Sequence, residues 1–254
     1  MLFVADVGNT NIVFAVFDGN DWIHNWRIRT DCNRTSDEYF VTLKMLFESS
    51  GLKTEEITKA VISSVVPNLT LSVQKNIYRI FNVQPIVVSN EIEAGLVKTS
   101  LPVELGSDLL CNLAYAHHLF PNKSVMTVDF GTALTLSTVD KTGYVKGVAI
   151  LPGLVTAVNS LFNSTAQLPQ VELKQPTTAL GRNSTESIRA GVMFGYAGAV
   201  ERLIKESEKE LGEELVVIVT GGLSTTIFPL LPKITLLDKN HTLNGLRLIS
   251  DLNC

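Results

Sequence analysis

Two short segments of this 254-residue chain carry residue types that can hold a polyphosphate. They are Asp6-Val7-Gly8-Asn9-Thr10 and Asp129-Phe130-Gly131-Thr132-Ala133. Each sets an aspartate two residues before a glycine, with a short polar side chain next. Glycine permits positive φ and close backbone approach, and the amides of a tight turn form a concave nest for phosphate oxygens. A carboxylate beside that nest can hold Mg²⁺, largely through water, because the ion gives up its hydration shell reluctantly. Two ordinary hairpin turns would use Asp and Gly in the same places. Recurrence of the Asp-x-Gly core favours the phosphate reading. Facing each other across a cleft, the turns would hold one nucleoside triphosphate.

The surrounding elements repeat as well. The two aspartates stand 123 residues apart, close to half the chain. After the first come Ile12 to Phe17, a turn at Asp18-Gly19-Asn20-Asp21, and Trp22 to Arg29. After the second come Leu134 to Val139, a turn at Asp140-Lys141-Thr142-Gly143, and Tyr144 to Ile150. Both read as strand, tight turn, strand, tight turn, strand. Helices and strands then alternate. Thr35-Ser36-Asp37-Glu38 has capping-box spacing and opens a helix with Phe40, Leu43 and Phe47 on one face, ending at Gly51. Lys59 to Val66 predicts a buried strand halted at Pro67. A helix over Leu69 to Phe81, a strand at Pro85 to Val88 and a helix over Asp108 to Leu119 follow. Ser184 to Leu211 predicts a long helix, and Leu215 to Thr220 a strand ending at Gly221-Gly222. Two such halves describe the duplicated α/β architecture of actin-like ATPases (ribonuclease H-like), two domains with a nucleotide cleft between them. The pattern breaks near Pro121-Asn122, which sets expected domains at 1–118 and 119–254.

Composition narrows the function classes. With 45% apolar and 18% charged residues, the chain can bury a substantial core. A net charge of −4 with scattered Lys and Arg gives no footprint for nucleic acid. No uncharged apolar run approaches bilayer length, and the N-terminal run meets Asp6 too soon for a signal peptide. Cys32, Cys111 and Cys254 form no metal-type pair, so a cytoplasmic protein is expected. His117-His118 suits a helix C-terminus, Trp22 and Trp26 alternate on one strand, and 205–214 reads as a solvated helix face.

Further motifs carry a resemblance. They are Trp26-Arg27-Ile28-Arg29-Thr30, Thr35-Ser36-Asp37-Glu38-Tyr39, Ser63-Ser64-Val65-Val66-Pro67, Gly106-Ser107-Asp108 and Ile150-Leu151-Pro152-Gly153. Gly181-Arg182-Asn183-Ser184-Thr185-Glu186-Ser187, Thr220-Gly221-Gly222 and Leu243-Asn244-Gly245-Leu246 complete the set. In this order, with the two Asp-x-Gly segments, the chain resembles type III pantothenate kinases over some 240 residues. The resemblance implies ATP-dependent phosphorylation of pantothenate, the first step towards coenzyme A, in a homodimer. Asp6, Val7, Gly8, Asn9, Thr10, Asn11, Ile12 and Val13 would form the first phosphate loop, with Asp6 near Mg²⁺. Asp129 would bind a monovalent cation, potassium or ammonium. Gly131 and Thr132 would meet ATP, and Gly221 and Gly222 would lie near the adenosine. The acceptor site would use Gly106, Ser107, Asp108 as general base, and Ser184 reaching from the partner subunit. At the start of a helix, Asp108 would be kept ionised by the helix dipole; an N-cap role fits the same place.

Two positions depart from the family pattern. Leu109 stands where the family motif has an arginine, a planar donor suited to a carboxylate. Thr99 stands where a tyrosine commonly lines the acceptor pocket. Lys98 and Arg182 are the nearby cations that could substitute. A kinase for a related small alcohol and a catalytically weak nucleotide-binding regulator are the alternatives these departures leave.

Overall fold

The computed structural model describes residues 1–164, 168–231 and 233–253, and Cys254 lies outside them. In chain order the main elements begin with β1 (Leu2–Val7), β2 (Asn11–Phe17), β3 (Trp22–Arg29), α1 (Ser36–Ser49), β4 (Lys59–Ser64), α2 (Pro67–Phe81), β5 (Ile86–Val87) and α3 (Ser107–Leu119). They continue with β6 (Val125–Phe130), β7 (Ala133–Val139), β8 (Val145–Pro152), α4 (Leu154–Ser164), α5 (Ser184–Leu211), β9 (Val216–Thr220), α6 (Ser224–Ile227), β10 (Leu236–Leu237) and α7 (His241–Leu252). One compact unit comprises Met1–Tyr115 with Thr242–Cys254, and the other Ala116–His241. The break near Pro121-Asn122 would put the whole of 119–254 in the second domain. In the structure the last helix belongs with the first unit.

Each unit is built on the same five-stranded sheet. The first has the order β3-β2-β1-β4-β5, the second β8-β7-β6-β9-β10. In both, the three-stranded meander is antiparallel and the last two strands join in parallel. The likeness extends to burial. β1 and β6 share one pattern of buried and half-buried positions, and so do β2 and β7. The second and third strands slip by one residue at Val16/Phe17 in one unit and at Thr138/Val139 in the other. The repeat read in the sequence is therefore a repeat of strand order, register and bulge.

In the first unit Phe3, Ala5 and Val7 of β1 face a core with Leu43 and Phe47 of α1 and Val73, Ile77 and Phe81 of α2. Thr35 caps α1 as the spacing predicts, accepting from the Glu38 N–H while Glu38 accepts from the Thr35 N–H at 2.7 Å. Tyr39, Leu43 and Phe47 form the buried stripe. Phe40, expected in that stripe, instead lies under the Arg79 guanidinium at 4.0 Å. The Tyr39 hydroxyl donates to the Asp31 carbonyl oxygen at 3.0 Å, which fixes the entry to the helix. Pro67 opens α2 at its first turn, where its missing N–H goes unused.

The opposite face of the sheet receives α3 and α7. Gly245 is the contact that lets them meet, since a Cβ there would stand 2.2 Å from the Cys111 carbonyl oxygen. Thr242 Oγ1 donates to Asn112 Oδ1 at 2.8 Å, and Asn253 Nδ2 to the Glu93 carbonyl oxygen at 2.7 Å. Trp22 Nε1 donates to Asn244 Oδ1 at 2.9 Å, whereas Trp26 packs on Phe47 of α1. The bulge explains the split. It inserts Ile23 opposite the Val16/Phe17 step, and the two tryptophans end on opposite faces.

The second unit buries Met126, Val128 and Phe130 of β6 against Leu154 and Val158 of α4 and Val192, Met193 and Val200 of α5. α5 spans the predicted residues and ends at Gly212 with φ +72°, the left-handed cap that glycine adopts without strain. No helix among the described residues is long and apolar enough to cross a membrane.

Candidate active site

The first Asp-x-Gly segment closes the β1–β2 hairpin. Its turn is held by the Gly8 N–H donating to the Asn11 carbonyl oxygen at 3.0 Å. Thr30, at the end of β3, braces it from the side. Its hydroxyl donates to the Gly8 carbonyl oxygen at 2.6 Å and its N–H to the Thr10 carbonyl oxygen at 3.0 Å. These bonds occupy carbonyls and leave Asn9 and Thr10 exposed. Val7 and Ile12 are fully buried, so their part in the turn is backbone alone; Asn11 and Val13 are half-buried.

The second segment closes the β6–β7 hairpin in the same manner, the Gly131 N–H donating to the Ala133 carbonyl oxygen at 3.1 Å. Its support comes from two glycines elsewhere in the unit. The Gly153 N–H donates to the Thr132 carbonyl oxygen at 3.0 Å, and a Cβ at Gly153 would lie 2.3 Å from that oxygen. Gly221, at φ +95°, leaves room for Asp129 Oδ1, which a Cβ would meet at 2.4 Å. Thr132, Gly131 and Gly222 are exposed beside them. The glycines at 153 and 221 thus allow backbone to close on the turn that carries Asp129. The motifs are local in sequence, whereas that contact joins residues far apart along the chain.

Asp6 connects to Ser107 and Asp108 through a chain of neighbours in the first unit. In the parallel ladder Asp6 pairs with Ser63. Ser63 Oγ lies 3.0 Å from Ser107 Oγ, and the Ser64 N–H donates to Ser107 Oγ at 2.8 Å. Asp108 follows in the first turn of α3. Its Oδ1 accepts from the Leu109 N–H at 2.8 Å and folds over Gly106, where a Cβ would be only 2.6 Å away. Asp6 and Asp108 both bear on Cys111, whose thiol is pushed well up by burial, with the two carboxylates adding to the effect. Ser63 and Ser64 were legible as a motif, but nothing local revealed their tie to Ser107.

Burial also pushes the Asp108 carboxyl above the ordinary aspartate value, against the hydrogen bond from Leu109. The shift is opposite in direction to the one expected of a helix N-terminus. Desolvation outweighs the backbone hydrogen bonds because the carboxyl lies folded against its own turn rather than in water.

The other positions that the family pattern singles out fall in both units. Thr99 is exposed in a short turn at Lys98–Ser100, and Leu109 is half-buried. Lys98 Nζ donates to the Glu91 carbonyl oxygen at 2.9 Å. Arg182 is exposed. Ser184 is exposed at the first position of α5, directly after Asn183, the N-cap. Asn183 Oδ1 accepts from the Glu186 N–H at 2.9 Å, and Glu186 Oε2 accepts from the Arg182 N–H at 2.9 Å. The Asn-x-x-Glu spacing could have announced this cap.

Among the described residues no three His, Cys, Asp or Glu side chains gather for a metal. Mg²⁺ bound with a nucleotide is held by one or two carboxylates plus phosphate oxygens and water. A single aspartate beside a glycine turn, as at Asp6, fits that demand.

Comparison with known proteins agrees with this geometry. The family model of type III pantothenate kinases matches residues 2–206. A type III pantothenate kinase of Finegoldia magna is 37% identical over 257 residues, covering 100% of this chain and 98% of the relative. One from Thermomicrobium roseum is 40% identical over 248 residues, covering 97% and 95%. In fold the chain is similar to the activator of the 2-hydroxyisocaproyl-CoA dehydratase from Clostridium difficile, solved with bound ADPNP. The TM-score is 0.57 at 14% identity, covering 98% and 93%. The duplicated sheets are those of the actin-like ATPase fold. Near-complete alignment with relatives of one description, across both hairpin turns and the Ser107-Asp108 turn, places this protein in the type III pantothenate kinase family.

Proposed function

We propose that this enzyme transfers the γ-phosphoryl group of ATP to the terminal hydroxyl of pantothenate, giving 4'-phosphopantothenate for coenzyme A synthesis. The observation that carries it is the Asp6–Ser63–Ser107–Asp108 chain, which joins a phosphate turn to a half-buried carboxylate. Phosphoryl transfer depends on positioning and charge neutralisation, with a carboxylate taking the attacking hydroxyl's proton. Asp108 takes that proton. The turn carrying Gly8, Asn9 and Thr10 holds phosphate oxygens, as does the turn carrying Gly131 and Thr132, with Gly221 and Gly222 near the adenosine. Asp6 would hold Mg²⁺, and Asp129 a potassium or ammonium ion; bound there, these cations would supply positive charge to the phosphates. Gly106 gives the Asp108 carboxyl its space. Acceptor contacts in this chain do without the family's arginine and tyrosine, at Leu109 and Thr99.

The cytoplasm is the proposed compartment, in keeping with free Cys32 and Cys111. Purified protein with ATP, Mg²⁺ and potassium should release ADP only when pantothenate is added, and sodium in place of potassium should slow it. ADP release indifferent to pantothenate would remove pantothenate as acceptor and leave the fold unaffected.

A homodimer is proposed through α5, with Ser184 contacting the partner's pantothenate. Ser184, Ser187, Gly191, Phe194, Gly195 and Gly198 recur at helical spacing, and all are exposed. The glycines would let a second helix approach closely. Phe194→Arg should convert a dimer to a monomer in sedimentation velocity; a wild-type chain that already sediments as a monomer sinks the proposal.

A further inference from the structure

We propose that Ser107 is the positioning residue for Asp108, its hydroxyl tying the first turn of α3 to the end of β4. The inference rests on the reading of Asp108 as base and adds a residue to it. β5 ends early. It pairs with β4 only at Val61 and Ile62, and the Val88 N–H closes the ladder on the Ile62 carbonyl oxygen at 2.8 Å. Two residues further on, the Ser64 N–H points to the same side of β4, where no strand remains to accept it. Ser107 Oγ accepts it instead, at 2.8 Å, and pairs with Ser63 Oγ at 3.0 Å. A side-chain hydroxyl therefore takes the place of the missing strand's carbonyl.

That arrangement decides where Asp108 stands. The bonds of the carboxyl itself are local, to the Leu109 N–H and over Gly106. They set its conformation within the turn but not the turn's place on the sheet. Ser107, next in sequence and nearly fully buried, supplies the tie to β4. Through Ser63 it registers the turn against Asp6, the ladder partner of Ser63. The network also includes Thr70, whose hydroxyl donates to Ser64 Oγ at 2.7 Å. A small residue without a hydroxyl at position 107 would leave a β4 amide unanswered and the turn free to drift. Drift of about 1 Å at a reacting group can cost on the order of 100-fold in rate.

Steady-state kinetics of Ser107→Ala, Ser107→Thr and Ser63→Ala, beside Asp108→Asn, test this on the full-length enzyme. Ser107→Ala should lower kcat about 10- to 100-fold while the KM for ATP stays within about two-fold. Ser107→Thr should recover most of the loss, because it restores the hydroxyl. A folded Ser107→Ala enzyme with wild-type kcat overturns the proposal, and so does Ser107→Thr no better than Ser107→Ala. Should Ser107→Ala fail to fold, Ser63→Ala decides: reduced kcat at unchanged KM for ATP supports the tie, and wild-type kcat overturns it. Full turnover by Asp108→Asn would remove the base reading by itself, whatever the serine variants do.

Discussion

Asp108→Asn is expected to lower kcat by about 10²- to 10⁴-fold and, at neutral pH, to make the protein harder to unfold. The activity loss follows from removing the group that accepts the hydroxyl proton. The stability gain follows from the raised pKa, whose main cause is burial. A carboxyl that binds its proton more tightly in the folded state than in the unfolded chain weighs against folding once it is ionised. That penalty is absent at pH below the ordinary aspartate value, where both states are protonated. It grows as pH rises through the window up to the raised folded value and is complete above it. Asparagine keeps an oxygen to accept the Leu109 N–H and carries no charge, so the penalty disappears. Stabilising changes of this kind commonly amount to about 0.5–2 kcal/mol. Urea denaturation of both proteins from pH 8 downwards checks it: the midpoint of Asp108→Asn should lie higher at pH 8, and the gap should close as pH falls. A lower midpoint at pH 8 would mean that the carboxylate stabilises the native state. Wild-type kcat should fall as pH drops through a value above that of an exposed aspartate.

Gly245→Ala should lower stability by about 1–3 kcal/mol or more, and activity with it. A methyl group there would sit 2.2 Å from the Cys111 carbonyl oxygen, 2.6 Å from its carbon and 2.9 Å from Cys111 Cβ. Two of those atoms are backbone of α3, so no rotamer change gives relief. α7 would have to move away, against the bonds from Trp22 to Asn244 and from Thr242 to Asn112. Any movement taken up by α3 instead displaces the helix that carries Asp108. Val41→Ala on α1 makes the control: that side chain is exposed, and surface substitutions of this kind usually stay within about 0.5 kcal/mol. Equal denaturation midpoints for Gly245→Ala and wild type would show that the helices are not in the contact described.

The two predictions draw on different parts of the chain's legibility. The duplicated meander was open to reading because strand alternation and turn chemistry are local properties. Asp18 and Asp140, in the two second turns, each accept backbone N–H groups two to four residues ahead. The capping box at Thr35 and the span of α5 to Gly212 were equally local. The return of α7 to the first unit is not a local property, since its place depends on Gly245 meeting Cys111 across more than half of the chain.

The amino-acid sequence by itself determined which turns recur, where most helices begin and end, and which family this protein belongs to. Each depends on residue types at short spacing, or on motifs whose order survives without coordinates. The tertiary structure alone decided that Trp22 and Trp26 face opposite ways, through a bulge. It decided that Ser107 answers the last N–H of β4, because β5 stops short. It also decided the protonation tendency of Asp108, because desolvation arises from everything packed around a carboxyl and not from its neighbours in sequence.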